Sequence, residues 1–186
     1  MKPLSLPNND YLLSCFKYDS GALYWLERPK EHFRTKRAHG MWNAKNAGKR
    51  AGRQMIGKAT YRQIGLDGVR YLEHRLIAAL FGISVSNLID HRDGNGLNNH
   101  PGNLRAATHS QNMKNNSGWS KKSEPCGVHL KANGRWVAYI RADGKHKHLG
   151  TFTTQAEALS VRRSAEQRHY GEFASARGVE LERVAA

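Results

Sequence analysis

The spacing of apolar and polar positions changes period along the chain. Near the start, Tyr11, Leu12, Leu13 and Phe16 cluster as on one short helix, and residues 22–26 read as a strand after the Asp19-Ser20-Gly21 turn. Residues 61–66 and 69–72 flank Asp67-Gly68, a pair that tolerates the positive φ of a tight hairpin. Between these strands, 28–57 shows little periodicity and is expected to be a loop that orders only on a partner. Over 73–81, Leu76, Ile77, Leu80 and Phe81 recur at helical spacing, and Gly82 provides the stop. Residues 87–91 read as a strand, Asp93-Gly94-Asn95-Gly96 as a loop and 103–107 as a return strand. Thr108-His109-Ser110-Gln111 matches a capping box that opens a helix.

The last third has the clearest pattern. Residues 127–131, 135–141 and 146–152 read as three strands joined by Asn133-Gly134 and Asp143-Gly144 turns. Thr154-Gln155-Ala156-Glu157 opens a helix that runs to about residue 170 and stops at Gly171. On the middle strand Trp136, Ala138 and Ile140 share one face, suited to the helix through Ala158, Leu159 and Val161. Arg135, Val137, Tyr139 and Arg141 share the other, which is expected to be free. The fold class is therefore α+β. It comprises a basic β-rich segment (1–72), a ββα unit (73–118), a linker (119–125), a three-stranded antiparallel sheet packed on one helix (126–176) and a tail (177–186).

Charge narrows the list of partners. The 186 residues include 30 Lys plus Arg against 15 Asp plus Glu, a formal charge of +15. Residues 28–70 hold twelve Lys or Arg and only Glu31 and Asp67 as acids. Clustered excess of this kind points to a polyanion such as a nucleic-acid backbone. A membrane is not expected as partner, since no apolar run approaches the ~20 residues of a spanning helix. Residues 1–10 lack the basic-then-apolar pattern of a secretory signal. Cys15 and Cys126, alone and distant, suit neither a disulfide framework nor structural zinc, so a reduced, cytoplasmic protein is expected.

Residues 90–112 carry the candidate chemistry. Asp90 and His91 are adjacent, Asn103 follows His91 by twelve residues, and Asn112 follows Asn103 by nine. Asp90 offers a charged oxygen ligand and Asn112 a neutral one, an oxygen set suited to Mg²⁺ or Mn²⁺ rather than Zn²⁺. An imidazole, with an ordinary pKa of ~6.5, suits water activation near neutrality, which makes His91 the candidate general base. Neighbours on a strand point to opposite faces, so the two groups converge only if the strand end bends. Arg75 and Arg105 are possible phosphate contacts. His74, His100 and His109 read as packing or bystander residues, although His109 could reach DNA.

This set, in its ββα context, resembles the HNH endonuclease motif in the form seen in phage homing endonucleases. The resemblance implies a ββα-metal centre whose strand end does bend. It assigns Asp90 and Asn112 to the metal, His91 to water activation, and Asn103 to bracing the loop that holds the histidine. It covers the ββα unit and includes the His74-Arg75-Leu76 run before it.

Gly127-Val128, Gly134-Arg135-Trp136-Val137-Ala138, Ile140-Arg141 and Leu149-Gly150-Thr151-Phe152 resemble the Apetala-type ethylene-response-factor DNA-binding domain. That resemblance implies a sheet docked in the major groove through Gly127, His129, Lys131, Arg135, Tyr139, Arg141, His146 and His148. The chain departs from the plant pattern at Asn133 and Tyr139, and at His129, His146 and His148, so plant target specificity is not carried over. The combined expectation is a divalent-metal-dependent DNA endonuclease of homing type that nicks or breaks double-stranded DNA at a preferred site. It would need no obligate protein partner and would act in the cytoplasm of a bacterial host if phage-encoded. A DNA-binding regulator with a vestigial nuclease centre is the alternative, and an RNA-cutting nuclease a third reading.

Overall fold

The computed structural model describes residues 5–55, 60–116 and 127–175; the expected linker (119–125), Cys126 and the expected tail (177–186) lie outside them. The described residues fall into two compact units. One holds the residues up to His91 together with Asn95–Ala107, the other Arg92–Gly94 and the residues from Thr108 onward.

The first unit begins with α1 (Asn9–Cys15), whose Asn8 cap accepts the Tyr11 N–H. Phe16 starts β1 (Phe16–Asp19) instead of extending the helix, and β1 pairs antiparallel with β2 (Ala22–Trp25) across Ser20-Gly21. The stretch expected to be a loop contains α2 (Lys36–Asn46), capped by Thr35. Two anchors that do not form an apolar stripe hold it in place. The Asn43 amide bonds both the N–H and the carbonyl of Arg28 at 3.0 Å, and Trp42 packs edge-on to Trp25. The buried Arg28 guanidinium lies over Phe33 and Trp42, bonds the Tyr11 hydroxyl and pairs with Asp67 at 2.8 Å.

The strands β3 (Arg53–Met55), β4 (Tyr61–Leu66) and β5 (Val69–Leu72) form an antiparallel sheet in that order. Asp67 and Gly68 take the positive φ values of 51° and 78° that the turn requires. α3 (Glu73–Leu80) follows directly, and β6 (Leu88–His91) pairs antiparallel with β7 (Leu104–Ala107). Leu12, Leu23, Ile64, Leu66, Leu76 and Ile77 form the buried core, and Ile89 and Leu104 fasten the β6–β7 pair to it. Burying each such side chain contributes ~1.5–3 kcal/mol.

The second unit contains α4 (His109–Asn116), β8 (Val128–Leu130), β9 (Trp136–Ala142), β10 (Lys145–Phe152) and α5 (Gln155–Tyr170). The Thr108 and Gln111 side chains and backbone N–H groups exchange the two bonds of the expected capping box. The three strands form an antiparallel meander with β9 central. Val128, Ala138 and Ala158 share one buried cluster, and Ile140, Ala165 and Tyr170 another, so the predicted face of β9 does pack on α5. Thr154 and Glu157 complete the second capping box. The opposite face is less open than expected, because Val137 on it is buried. Among the described residues no helix is long and apolar enough to cross a membrane.

Candidate active site

The register of β6 on β7 sets the local chemistry. Asp90 lies opposite Arg105, and His91 opposite Leu104. Pairing stays regular through His91 and the turn begins only at Arg92, so the expected bend does not fall between Asp90 and His91, which alternate faces. On one face the Arg105 guanidinium donates through Nε and Nη2 to Asp90 Oδ2, at 2.8 and 2.7 Å. Both side chains are almost wholly buried. Paired donors on a buried carboxylate fix its plane.

On the other face, His91 shares the side of β6 that carries Ile89 into the core. Its Nε2 lies 3.0 Å from Asn99 Oδ1, and Asn99 Nδ2 donates to Glu73 Oε2 at 2.9 Å. Glu73 is completely buried and accepts two further bonds, from the Leu23 N–H on Oε1 and from Arg50 on Oε2, both at 3.0 Å. Burial pushes the Glu73 carboxyl above its ordinary pKa, against the opposing pull of the Leu23 N–H, Arg50, Arg62 and Asn99. The His74 ring meets His91 edge-on at 5.0 Å, and the Tyr61 ring lies tilted against His74 at 5.3 Å. Burial, reinforced by His91 and Arg75, drives the pKa of His74 down to about 3, so its imidazole is neutral at physiological pH.

The connecting loop is shaped by close approaches. A Cβ on Gly96 would sit 2.3 Å from the Thr60 carbonyl oxygen and 2.6 Å from the Tyr61 ring, so only glycine lets the loop lie against β4. Asn103 ends a short 3₁₀ turn (Pro101–Asn103), and its Nδ2 donates to the Asn98 carbonyl at 2.8 Å, next to the Asn99 that holds His91. His100 accepts the Gly102 N–H, a capping role. Arg75 donates to the carbonyls of Val85 and Asn87 at 2.7 and 3.1 Å, closing the loop after α3. The first unit thus assembles Asp90, His91, Arg105 and the Asn103 loop. Asn112 stands on α4 in the second unit, half-buried, and His109 on the same helix is exposed.

Of the residues singled out in the terminal sheet, His129, Lys131, Arg135, Arg141, His146 and His148 are exposed, while Gly127 and Tyr139 are partly covered. His146 lies opposite Arg141 and His148 opposite Tyr139, with the latter two rings 5.1 Å apart. Several cations of the basic segment are also exposed, among them Arg34, Lys36, Arg37, Lys45 and Arg53.

Among the described residues no group of three or more His, Cys, Asp or Glu is placed to hold a metal. By donor chemistry the Asp90 carboxylate, kept oriented by Arg105, is the kind of oxygen group that suits a hard divalent cation. Sequence reasoning missed two buried residues, Glu73 and Asn99. For Glu73 a signal existed: with Leu76, Ile77 and Leu80 it completes the i, i+3, i+4, i+7 stripe that faces the core. Asn99 carried no signal within its Asn-rich loop.

Compared with known proteins, residues 71–114, about a quarter of the chain, match the family model described as HNH endonuclease. No curated protein and no solved structure matches. The match supports a nuclease, and with it a nucleic-acid substrate, and it spans Asp90, His91, Asn103 and Asn112.

Proposed function

We propose that the chain is a divalent-metal-dependent DNA endonuclease whose cutting centre lies within residues 73–118. The observation that carries this reading is a buried imidazole, His91, held by a side-chain amide and next in sequence to a clamped carboxylate on the opposite face of β6, within the residues that match the HNH family. His91 takes the proton from a water as that water attacks phosphorus. One P–O bond forms, the bond to the leaving oxygen breaks, and that oxygen is protonated from solvent. General-base help of this kind contributes ~10²–10⁴ in rate. In this reading Asp90 and Asn112 would each offer an oxygen to one Mg²⁺ or Mn²⁺. When bound, the cation would supply positive charge to the phosphate and the leaving oxygen. Asn103 braces the loop through the Asn98 carbonyl. Phosphate contacts by Arg75 or Arg105 would require each to give up partners it already has.

In the same reading, residues 1–72 lend phosphate contacts through their exposed cations, 73–118 cut, and 126–176 act as an ethylene-response-factor-like sheet in the major groove. His129, Lys131, Arg135, Tyr139, Arg141, His146 and His148 would then read or grip DNA, next to Gly127. This division of labour suits a phage-type homing endonuclease with a preferred site.

Supercoiled plasmid incubated with Mg²⁺ or Mn²⁺, with and without chelator, tests the proposal. Metal-dependent nicking or linearisation is expected, lost in His91→Ala while DNA binding persists. Equal cutting by that variant would overturn the base assignment. Tight binding without cutting under any of these cations would favour the DNA-binding regulator.

A further inference from the structure

The hydrogen bonds behind His91 run in one chemical direction. Every contact on Glu73 comes from a donor: the Leu23 N–H on Oε1, and Arg50 and Asn99 on Oε2. A carboxylate surrounded in this way can only accept. The Asn99 amide must therefore turn its NH₂ to Glu73, because the flipped amide would set two oxygens against each other at 2.9 Å. Its carbonyl then faces His91 Nε2 at 3.0 Å, and an oxygen acceptor there requires Nε2 to carry the proton.

We propose that Glu73 is a positioning residue which, through Asn99, fixes His91 as the Nε2–H tautomer and so places the basic lone pair on Nδ1. The tautomer follows from the hydrogen bonds alone; its value for catalysis rests on the nuclease reading above. Burial strengthens the effect, since Glu73, Asn99 and His91 are 0%, 1% and 5% exposed and water has little access to replace a lost partner. Two of the donors that hold Glu73, Leu23 and Arg50, lie outside the residues that match the HNH family, so the segment before the matched region helps set the base.

Long-range ¹⁵N–¹H correlation on the 186-residue chain reads the tautomer directly. Wild type is expected to show neutral His91 only as Nε2–H. In Glu73→Gln one oxygen cannot serve the Leu23 N–H, Arg50 and Asn99 together, so Asn99 loses its fixed orientation and the Nδ1–H form becomes populated. If that variant does not fold, Asn99→Ala removes the Nε2 acceptor and should mix the tautomers in the same way. An Nδ1–H wild type, or variants that keep pure Nε2–H, would overturn the relay. On DNA, Glu73→Gln should lower the single-turnover cleavage rate by ~10-fold or more, within the range of general-base help, with DNA affinity unchanged. An equal loss of affinity and rate would instead indicate a merely structural role. If wild type cuts no DNA with any divalent cation, the nuclease reading fails, while the tautomer spectrum still judges the relay.

Discussion

His74 should make the fold acid-sensitive well above the pH at which carboxylates titrate. Its imidazole is 6% exposed, and its pKa falls from 6.5 to about 3 through burial, then His91 and Arg75. A depressed imidazole pKa means that the unfolded chain binds a proton which the folded chain refuses. The stabilisation is therefore complete above pH ~6.5 and declines as pH falls toward ~3. By linkage, the loss between pH 7.5 and pH 5 is about 2 kcal/mol, reaching about 4 kcal/mol near pH 3. Glu73 and Glu166 oppose it, because raised carboxyl pKa values favour the folded state as pH falls; the lowered His32 adds to it. The His74 contribution is isolated by comparison with His74→Phe, which keeps an aromatic ring beside Tyr61 and His91. Urea denaturation at pH 7.5 and pH 5 is the assay. Wild type should lose ~2 kcal/mol more than the variant over that interval. Equal losses, within ~0.5 kcal/mol, would refute the claim that His74 is held neutral by burial.

Arg105→Ala should destabilise the first unit by ~3–5 kcal/mol in denaturant titration, because it leaves the buried Asp90 carboxylate without its paired donors. A loss below ~1 kcal/mol would show that water reaches Asp90. Gly96→Ala should displace Tyr61 and the loop, since its Cβ would meet the Thr60 carbonyl at 2.3 Å. A lowered Tm and a shifted His91 side-chain resonance are expected, and wild-type values for both would mean that the loop stands off β4.

Much of this fold is visible in local sequence. Asp67-Gly68 and Asp143-Gly144 announce their hairpins because each pair takes positive φ, and both capping boxes form as read, because these signals act within four residues. α2 escaped because Asn43 and Trp42 anchor it to Arg28 and Trp25, contacts that no periodicity encodes. The site was legible to the same degree. Asp90, His91, Asn103 and Asn112 stand out by type and spacing, whereas Glu73 reaches Leu23 across 50 residues and Asn99 across 26, a pairing that only the folded chain creates.

The two hydrogen-bonded networks also explain why β6 must be a strand and why its register is fixed. Alternation sends Asp90 to Arg105 on one face and His91 to Asn99 on the other, so the strand separates the carboxylate from the imidazole that it carries side by side in sequence. A slip of one residue would exchange the faces, driving Asp90 toward the ring of the neutral His74 and His91 toward the guanidinium of Arg105. Each would then be buried without its partner, at ~1–3 kcal/mol for a polar group and more for a charge. Ile89 and Leu104 oppose the slip, because their burial in the core depends on the same register. The apolar residues Ile89 and Leu104 are thus what hold Asp90 and His91 on their separate faces.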